Sequence, residues 1–314
     1  MSNFPDKNIF VKYLSTLLPK EDLPLEIVSR NEFSESATFP VEIVVCKTKS
    51  GEELNLFCKY LGGMGPNNFG HRRGVEYEAD IYEHILDKTT CTKIKYFGRC
   101  EIIESHETML VLEFLGESMR MLYSEDPYVI LKAASWIGNF HFVEKGNAPQ
   151  FITRYDEAYY AVWPDRFRKT TSAYHDKLPW LKGIADFFEV NIPFLVKGQR
   201  TIIHGEYYPK NILLKNEIIY PVDWESTAIG PGEIDLASLV EGWDKETADL
   251  VIDSYKKARW PYGKSPDSDF EKRLLLSKIY FHFWWWDENN DNMNPDESEA
   301  LMNLKSLAIE AGLV

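Results

Sequence analysis

The chain has 314 residues, of which 44% are hydrophobic and 14% aromatic, and its formal net charge at pH 7 is −14. This length and apolar content are enough to bury one or two substantial cores, and the acidic surface disfavours nucleic acids and anionic membranes as partners. No run approaches the roughly 18–20 apolar residues of a membrane span, and no basic N-terminal region precedes an apolar core, so we expect neither a transmembrane helix nor a secretory signal.

The four cysteines do not form a metal-binding pattern. They lack the paired spacing of a zinc site, and their strand-like surroundings predict buried thiols in a reducing compartment. We therefore expect a cytoplasmic protein. These cysteines are Cys46, Cys58, Cys91 and Cys100.

The N-terminal part is predicted to be a mainly antiparallel sheet with two helices. The first helix is expected over residues 8–18, and apolar residues at helical spacing predict a second over 75–86. Strands are expected over 41–46, 54–58, 93–104 and 109–115. The turn at 49–52 joins the first two of these strands as a hairpin.

After Gly116 the pattern changes to mostly helices, with short strands only around residues 201–222. We therefore predict an α+β fold of two lobes, an N-lobe over 1–115 and a larger helical C-lobe over 116–314. The expected C-lobe helices are 128–144, 180–197, 235–240, 245–258, 269–286 and 296–310.

Three polar residues follow strands in a pattern that suits phosphoryl transfer. Glu206 and Asn211 lie five residues apart on a loop between two expected strands, and Asp223 ends the apolar run 218–222. A transferring phosphoryl group needs a carboxylate near the acceptor hydroxyl and oxygen ligands that hold Mg²⁺ against the nucleotide phosphates. We predict that Glu206 is catalytic and that Asn211 and Asp223 bind metal, although each piece alone also fits an ordinary loop or turn.

This stretch resembles the aminoglycoside phosphotransferase and choline kinase-like family of small-molecule kinases. The resemblance covers most of the chain and implies a two-lobed protein-kinase-like fold. It also identifies His141 with the family's helix histidine, which we expect to be structural, and it implies that His204 and Asp235 brace the catalytic loop. The family motifs stand here as His204-Gly205-Glu206, Asn211, Val222-Asp223-Trp224-Glu225, Gly230 and Asp235-Leu236-Ala237.

The chain departs from the family at Glu206, where the family usually has Asp. Glu has the same carboxylate and a similar ordinary pKa, so it can still accept a hydroxyl proton or hydrogen bond. The additional methylene moves the carboxylate by about 1.5 Å unless the loop retreats, and misplacement by about 1 Å costs on the order of a hundredfold in rate. We expect the loop to compensate, because phosphoryl transfer depends more on positioning than on a strong base.

A kinase also needs a cation on the nucleotide phosphates. Lys59 ends the strand after the hairpin turn, and Glu78 follows 19 residues later on the second predicted helix. The resemblance selects Glu78 rather than Glu76 as the partner of Lys59. The alternatives are an edge-strand lysine and a solvated helix acid.

Two further segments are expected to bind the nucleotide, which is ATP or GTP. The hydroxyls of Ser34 and Ser36 are suited to phosphate oxygens, although an ordinary turn explains their segment equally well. In the strand 109–115, Glu113 to Leu115 would line the hinge between the lobes, where the backbone would bond the base. No Gly-x-x-x-x-Gly-Lys-Ser/Thr motif occurs, which argues against a P-loop enzyme.

The acceptor is expected to be a small cationic or polar molecule, for example an aminoglycoside or another amine-bearing sugar or alcohol. The acidic net charge favours cations, and the segment 284–291 combines three tryptophans with acids that suit amines. The tryptophans fit a helix core equally well. Two alternatives remain, a pseudokinase that binds nucleotide or a small ligand without catalysis, which Glu206 suggests, and a scaffold without nucleotide.

Overall fold

A computed structural model of the chain describes residues 4–20, 23, 25–34, 39–61, 73–102, 107–124, 126–144, 148–264, 266–288 and 299–314. The chain divides into two compact units, each built from two segments. The first unit comprises Met1–Ser124 and Lys210–Ser226, and the second comprises Glu125–Pro209 and Thr227–Val314.

The first unit is built around a five-stranded sheet. Its strands are β1 (Glu26–Glu32), β2 (Val41–Lys47), β3 (Glu53–Tyr60), β4 (Tyr96–Ile102) and β5 (Glu107–Glu113). Their order is β1-β2-β3-β5-β4, and every neighbouring pair is antiparallel. Helix α1 (Lys7–Leu17) packs against β4, and α2 (Val75–His84) packs against β4 and β5. Alternating burial along β2 and β3 gives the sheet a buried face, as the period of two in a strand requires.

A small second sheet in the same unit has the order β10-β9-β6. It consists of β6 (Met119–Arg120), β9 (Ile212–Lys215) and β10 (Ile218–Pro221). Asn216 and Glu217, with φ angles of 49° and 63°, form the two-residue turn between β9 and β10. Positive φ at both positions matches the twist of a tight hairpin. Because Ile212 pairs with Pro221, this hairpin fixes the register between the residues that precede β9 and those that follow β10.

The second unit is mainly helical. Its one described sheet has the order β7-β11-β8, with β7 parallel and β8 antiparallel to β11. Helix α3 packs against α7, α4 against α5 and α8, and α6 against α8. The strands are β7 (Thr153–Arg154), β8 (Arg200–Ile203) and β11 (Ala228–Pro231). The helices are α3 (Tyr128–Val143), α4 (Glu157–Thr170), α5 (Trp180–Lys197), α6 (Glu233–Val240), α7 (Lys245–Arg259), α8 (Phe270–Glu288) and α9 (Glu299–Glu310).

The α+β class is confirmed, and the differences from prediction are local. Helix α4 was not predicted, and it contains Pro164. The strand expected to reach residue 115 ends at Glu113. Cys46 and Cys58 are buried as expected, but Cys91 and Cys100 are only half-buried, and none of the four forms a disulfide. Of the helices in the described ranges, none combines the length and the apolar composition needed to cross a bilayer.

Candidate active site

Lys59 lies near the end of β3 and is almost completely buried, with 5% of its surface exposed. The strand pairs it with Val41 on one side and with Leu110 on the other, so its backbone is fixed in the middle of the sheet. The ammonium Nζ donates to Oε2 of Glu78 at 2.7 Å. The ring of Phe39 lies 5.0 Å from Nζ and covers the cation with an aromatic face.

Glu78 is buried in the first turn of α2. One carboxylate oxygen accepts from Lys59, and the other, Oε1, accepts the backbone N–H of Trp224 at 3.2 Å. Glu78 therefore connects the lysine of β3 to the segment that follows β10. Glu76 points elsewhere, since its Oε1 accepts the hydroxyl of Thr108 at 3.1 Å.

Asp223 and Glu225 complete a cluster around the same lysine. Nζ of Lys59 lies 2.7 Å from Oδ1 of Asp223 and 3.1 Å from Oε2 of Glu225. One carboxylate oxygen from each of Glu78, Asp223 and Glu225 lies within 4.8 Å of the others. The side chain of Asp223 is 39% exposed, whereas that of Glu225 is 2% exposed, so Asp223 is the member that reaches solvent.

The backbone of Asp223 is in the left-handed region, with φ of 68°. A side chain other than glycine rarely adopts this conformation, and such residues concentrate at functional sites. The short 3₁₀ turn Trp224–Ser226 follows at once and turns the chain so that Glu225 faces back to Lys59.

The carboxylates determine the charge state of Lys59. Burial alone would lower the pKa of Lys59, but the negative charges of Asp223, Glu78 and Glu225 outweigh burial and hold that pKa well above its ordinary value. The ammonium is therefore charged throughout the physiological range. Burial raises the pKa of Glu78, against the opposing effects of Lys59 and the Trp224 amide.

Asn211 lies at the end of the 3₁₀ turn Pro209–Asn211, directly before β9, and is buried. The backbone carbonyl of Asn211 accepts the backbone N–H of Val222 at 2.9 Å. The β9–β10 hairpin thereby brings Asn211 beside the residue that precedes Asp223. Carboxylate and amide oxygens are the ligands that Mg²⁺ prefers. Glu78, Asp223 and Glu225 therefore offer oxygen donors of the kind that a divalent ion takes, and here these three carboxylates contact the ammonium of Lys59.

The remaining predicted nucleotide residues are less well defined. Ser34 is an exposed turn residue after β1, and Ser36 lies outside the described residues. Glu113 ends β5 and is half-buried, and its amide donates to the carbonyl of Lys95 at 2.9 Å. Leu115 is buried and follows Phe114, whose amide donates to Asn55 at 2.8 Å.

Glu206 belongs to the second unit, where it follows β8 and is buried with 3% of its surface exposed. Gly205 before it has φ of 87°, a conformation that favours glycine, and this turn directs the chain out of the strand. The Glu206 amide donates to Nδ1 of His204 at 3.3 Å, and its carbonyl accepts the amide of Tyr208 at 2.8 Å. Backbone bonds on both sides therefore hold the loop that carries this carboxylate.

Asp235, fully buried in α6, anchors the same loop. Its Oδ2 accepts the backbone N–H of His204 at 2.7 Å, and its Oδ1 accepts that of Gly205 at 2.8 Å. Oδ2 also lies 3.0 Å from Nε2 of His141 on α3. A carboxylate can only accept, so Nε2 has the proton, and Nδ1 accepts from the hydroxyl of Tyr255 at 2.9 Å.

Burial keeps this histidine neutral. It lowers the pKa of His141 to about 4, and the contact with Asp235 only partly opposes that effect. Space around the ring is tight, because a Cβ added at Gly232 would overlap the Tyr255 hydroxyl and lie 2.6 Å from Nδ1 of His141.

Aromatic side chains of α8 approach the loop beyond Glu206. The ring centroid of Tyr208 lies 5.6 Å from that of Phe281 and 6.5 Å from that of Trp284. Phe281 and Trp284 are buried and Tyr208 is half-buried. The tryptophans at 284 and 286 are therefore core residues as well as neighbours of this loop. The side chains of Asp287 and Glu288, and all of Asp291, lie outside the described residues.

Two residues have contacts that the sequence does not assign to them. Glu225 has no role in the sequence beyond its place in the family motif, yet its Oε2 lies 3.1 Å from Nζ of Lys59. Its place two residues after Asp223 in the family motif was the signal. Tyr255 was not singled out at all, and nothing in its helical surroundings indicates contact with a histidine 114 residues earlier.

Comparisons with known proteins identify the family of the chain. Residues 104–265, slightly more than half of the chain, match the Phosphotransferase enzyme family. The chain therefore belongs to that family. Protein LicA of Haemophilus influenzae is 26% identical over 95 residues, which cover 30% of this chain and 27% of LicA. The match thus spans about a quarter of that curated relative.

Solved structures define the fold over nearly the whole chain. The chain resembles a crystal structure of LicA in complex with AMP, with a TM-score of 0.58, 15% identity and 98% of each chain covered. A choline kinase from Cryptosporidium parvum gives a TM-score of 0.63 at 12% identity, again with 98% of each chain covered. The GDP complex of an aminoglycoside 2'-phosphotransferase gives 0.59 at 10% identity, covering 98% of this chain and 97% of the other. The predicted two-lobed kinase-like fold is confirmed.

Proposed function

We propose that this protein is a small-molecule kinase that transfers the γ-phosphate of ATP or GTP to a hydroxyl group in a Mg²⁺-dependent reaction. The observation that supports this best is the contact of Lys59 with both Glu78 and Asp223. That arrangement supplies a cation for the nucleotide phosphates, an acid that holds it and a metal ligand. Some structural relatives were solved with AMP, GDP or AMP-PNP, which supports a nucleotide as co-substrate.

The residues of the first unit bind and orient the nucleotide in this proposal. Lys59, held by Glu78, donates to the phosphates, and Asn211 and Asp223 provide the metal ligands. Mg²⁺, when bound, neutralises charge on the phosphates and so assists phosphoryl transfer. The backbone from Glu113 to Leu115 bonds the base, and Ser34 and Ser36 remain proposed phosphate contacts.

Glu206 orients the acceptor hydroxyl and accepts its proton as the new O–P bond forms, while the bond from the γ-phosphorus to the bridging oxygen breaks and ADP or GDP leaves. Its loop has little freedom, because Asp235 holds the two preceding amides and the carbonyl of Glu206 bonds Tyr208. A fixed loop supports the view that the longer Glu side chain works in a compensated position. In this proposal residues 1–115 bind the nucleotide, and residues 116–314 contain the catalytic loop, the metal ligands and the acceptor pocket.

The proposed acceptor is an amine-bearing alcohol or sugar. Tyr208, two residues after Glu206, packs with Phe281 and Trp284, and aromatic faces attract ammonium groups. The net charge of −14 also favours a cationic substrate. The structural relatives include choline kinases and an aminoglycoside phosphotransferase. A cytoplasmic location is part of the proposal, supported by four cysteines without a disulfide.

Thermal unfolding with ATP or GTP, each with and without Mg²⁺, tests the nucleotide site without knowledge of the acceptor. A ligand that binds only the folded state at about 100 times its Kd stabilises by about 2.7 kcal/mol. We expect an increase in Tm of a few degrees that requires Mg²⁺ and is lost in Asp223→Ala. The control Asp249→Ala removes an exposed carboxylate on α7 and should retain the shift. No shift with either nucleotide well above millimolar concentration contradicts the proposal.

The second candidate function is a pseudokinase, and only Glu206 favours it. The two functions differ in their response to Glu206→Asp. An enzyme adapted to Glu loses rate when the carboxylate is shortened, whereas a decayed enzyme gains rate. Formation of ADP from ATP that depends on an added amine-bearing alcohol, measured with a panel of such alcohols, detects this difference.

A further inference from the structure

The first turn of α6 has two buried carboxylates on different sides of the helix. Glu233 is the first residue of α6 and Asp235 is the third. Successive residues of an α-helix are about 100° apart around its axis, so these two side chains leave α6 on roughly opposite sides. Both residues are almost completely buried, and no side chain caps this end of the helix. The two acids are therefore the side chains through which the start of α6 makes polar contacts.

Glu233 is bound by Arg273, which lies in the first turn of α8. Nε and Nη2 of Arg273 both donate to Oε1 of Glu233, at 2.9 and 2.7 Å, and the two side chains are 2% and 4% exposed. Nη1 of Arg273 donates to Oδ1 of the exposed Asp267 at 2.8 Å. The guanidinium also lies against Gly198, since a Cβ added there would be 2.7 Å from Nε. Arg273 therefore has little freedom to move.

Asp235, on the other side of the same turn, holds the loop that carries Glu206. Its carboxylate accepts the backbone N–H groups of His204 and Gly205 at 2.7 and 2.8 Å. A continuous set of contacts therefore runs from α8 through one turn of α6 to the two residues that precede Glu206.

The loop also contacts α8 farther along that helix. The ring centroid of Tyr208, two residues after Glu206, lies 5.6 Å from that of Phe281 and 6.5 Å from that of Trp284. Phe281 follows Arg273 by about two turns, which is about 12 Å along a helix. The loop and α8 are thus connected at two places, and Glu206 lies in the segment between them.

We propose that Arg273 is a positioning residue for phosphoryl transfer. Through Glu233 it fixes the first turn of α6 against α8, and it thereby sets the distance between the Glu206 loop and the aromatic side chains proposed to bind the acceptor. A buried ion pair adds little net stability compared with uncharged residues of similar size, so stability alone does not explain this guanidinium. The catalytic part of this inference rests on the proposed function.

Hydrogen exchange of the backbone amides of His204 and Gly205 tests the positioning without nucleotide or acceptor. Arg273→Met alone leaves the buried Glu233 carboxylate without a positive partner and should lower Tm. The double variant Glu233→Gln/Arg273→Met removes both charges, and its Tm should return to within about 3 °C of that of the unmodified chain. We nevertheless expect the two amides to exchange at least about tenfold faster in the double variant, because Asp235 is no longer fixed against the loop.

Asp267→Asn is the matched control, since it removes the charge of the exposed partner of Arg273 and leaves both bonds to Glu233. It should change the exchange rates of the two amides by less than about threefold. A change as small as that in the double variant overturns the inference. If the double variant does not fold, Gly198→Ala takes its place, because the added methyl displaces the guanidinium and keeps both charges. Exchange within about threefold of the unmodified chain then overturns the inference.

The transfer rate separates positioning from a purely structural role. With choline, ethanolamine and kanamycin as the added alcohols, the double variant should form ADP from ATP at least about tenfold more slowly, although its Tm has recovered. A rate that recovers together with Tm overturns the inference.

Failure of this inference differs from failure of the proposed function. The absence of Mg²⁺-dependent stabilisation by nucleotide in the unmodified chain contradicts the kinase proposal. Exchange of the His204 and Gly205 amides is measured without nucleotide, so it decides whether Arg273 positions the loop in either case.

Discussion

Asp235 accepts the backbone N–H of Gly205, 30 residues earlier in the chain, at 2.8 Å. The same carboxylate accepts the N–H of His204 and contacts the ring of His141. The buried carboxylate of Asp235 on α6 thereby accepts hydrogen bonds from the backbone amides of both residues that precede Glu206. Hydrogen bonds to a charged group contribute about 1.5–3 kcal/mol each, which makes Asp235 a strong determinant of where Glu206 lies.

We predict that Asp235→Asn lowers the free energy of unfolding by about 2–3 kcal/mol and reduces phosphoryl transfer at least tenfold, because an amide NH₂ then faces a donor. Urea unfolding measures the first effect, and acceptor-dependent formation of ADP from ATP measures the second. Asp156→Asn, at the exposed N-cap of α4, is the control and should shift unfolding by less than about 0.5 kcal/mol. An equally small effect at position 235 would contradict the prediction.

His141 should make the protein less stable in mild acid. Its folded-state pKa of about 4 lies below the ordinary value of 6.5, so the unfolded chain binds the proton first as the pH falls. The stabilising contribution is complete above pH 6.5, decreases below it and is gone near pH 4. Between pH 7 and pH 5 we expect a loss of about 2 kcal/mol.

His141→Gln should remove this part of the pH dependence. Urea unfolding at several pH values between 5 and 7 compares the slopes of the two proteins. Parallel slopes in the variant and the unmodified chain would show that His141 is not the group that titrates.

Gly232→Ala is predicted to lower the free energy of unfolding by about 2–4 kcal/mol, because its Cβ overlaps the Tyr255 hydroxyl and the His141 ring. Gly183 on α5 is the matched control, since an added Cβ there meets nothing within 4 Å. Gly183→Ala should stabilise the protein by about 0.5–1 kcal/mol through helix propensity. Thermal unfolding measures the change in stability of both variants. Equal changes in the two variants would rule out the steric explanation.

Glu206→Asp should reduce the transfer rate by roughly ten- to a hundredfold, because the carboxylate retracts from a loop fixed for the longer side chain. Glu206→Gln removes the proton acceptor and should reduce it further. Both variants should keep the Mg²⁺-dependent stabilisation by nucleotide. A faster Asp variant would identify this chain as a decayed enzyme.

The sequence was sufficient for the elements that have strong local patterns. The helix predicted over 180–197 coincides with α5, and the hairpin that carries Lys59 is present with its register set by Cys46 and Leu54 across the turn. Both follow from apolar periodicity, which the chain shows within a short window.

Helix α4 was missed because its local signals conflict with its structure. Pro164 lacks an N–H and costs a helix interior about 3 kcal/mol, so the segment does not read as a helix. Burial of Tyr160, Trp163 and Phe167 in the second unit offsets that cost. Tertiary packing is therefore what stabilises α4, and a short window of the sequence does not show that packing.

The same limit applied to the candidate site. The order of the motifs along the sequence predicts that Asn211 and Asp223 lie near each other, because one short hairpin connects them. The contact of Glu225 with Lys59 spans 166 residues and depends on the turn after Asp223, which sequence spacing does not describe.

The left-handed backbone at Asp223 is a cost that the ion pair with Lys59 offsets. This conformation is strained for aspartate by about 1 kcal/mol or more, and glycine adopts it without strain. Glycine would, however, remove one of the carboxylates that pair with the buried ammonium of Lys59, and the loss of one partner from a buried ion pair costs about 3–5 kcal/mol. Relief of the strain at residue 223 would therefore not stabilise the protein, and the fold itself favours the acid at this position.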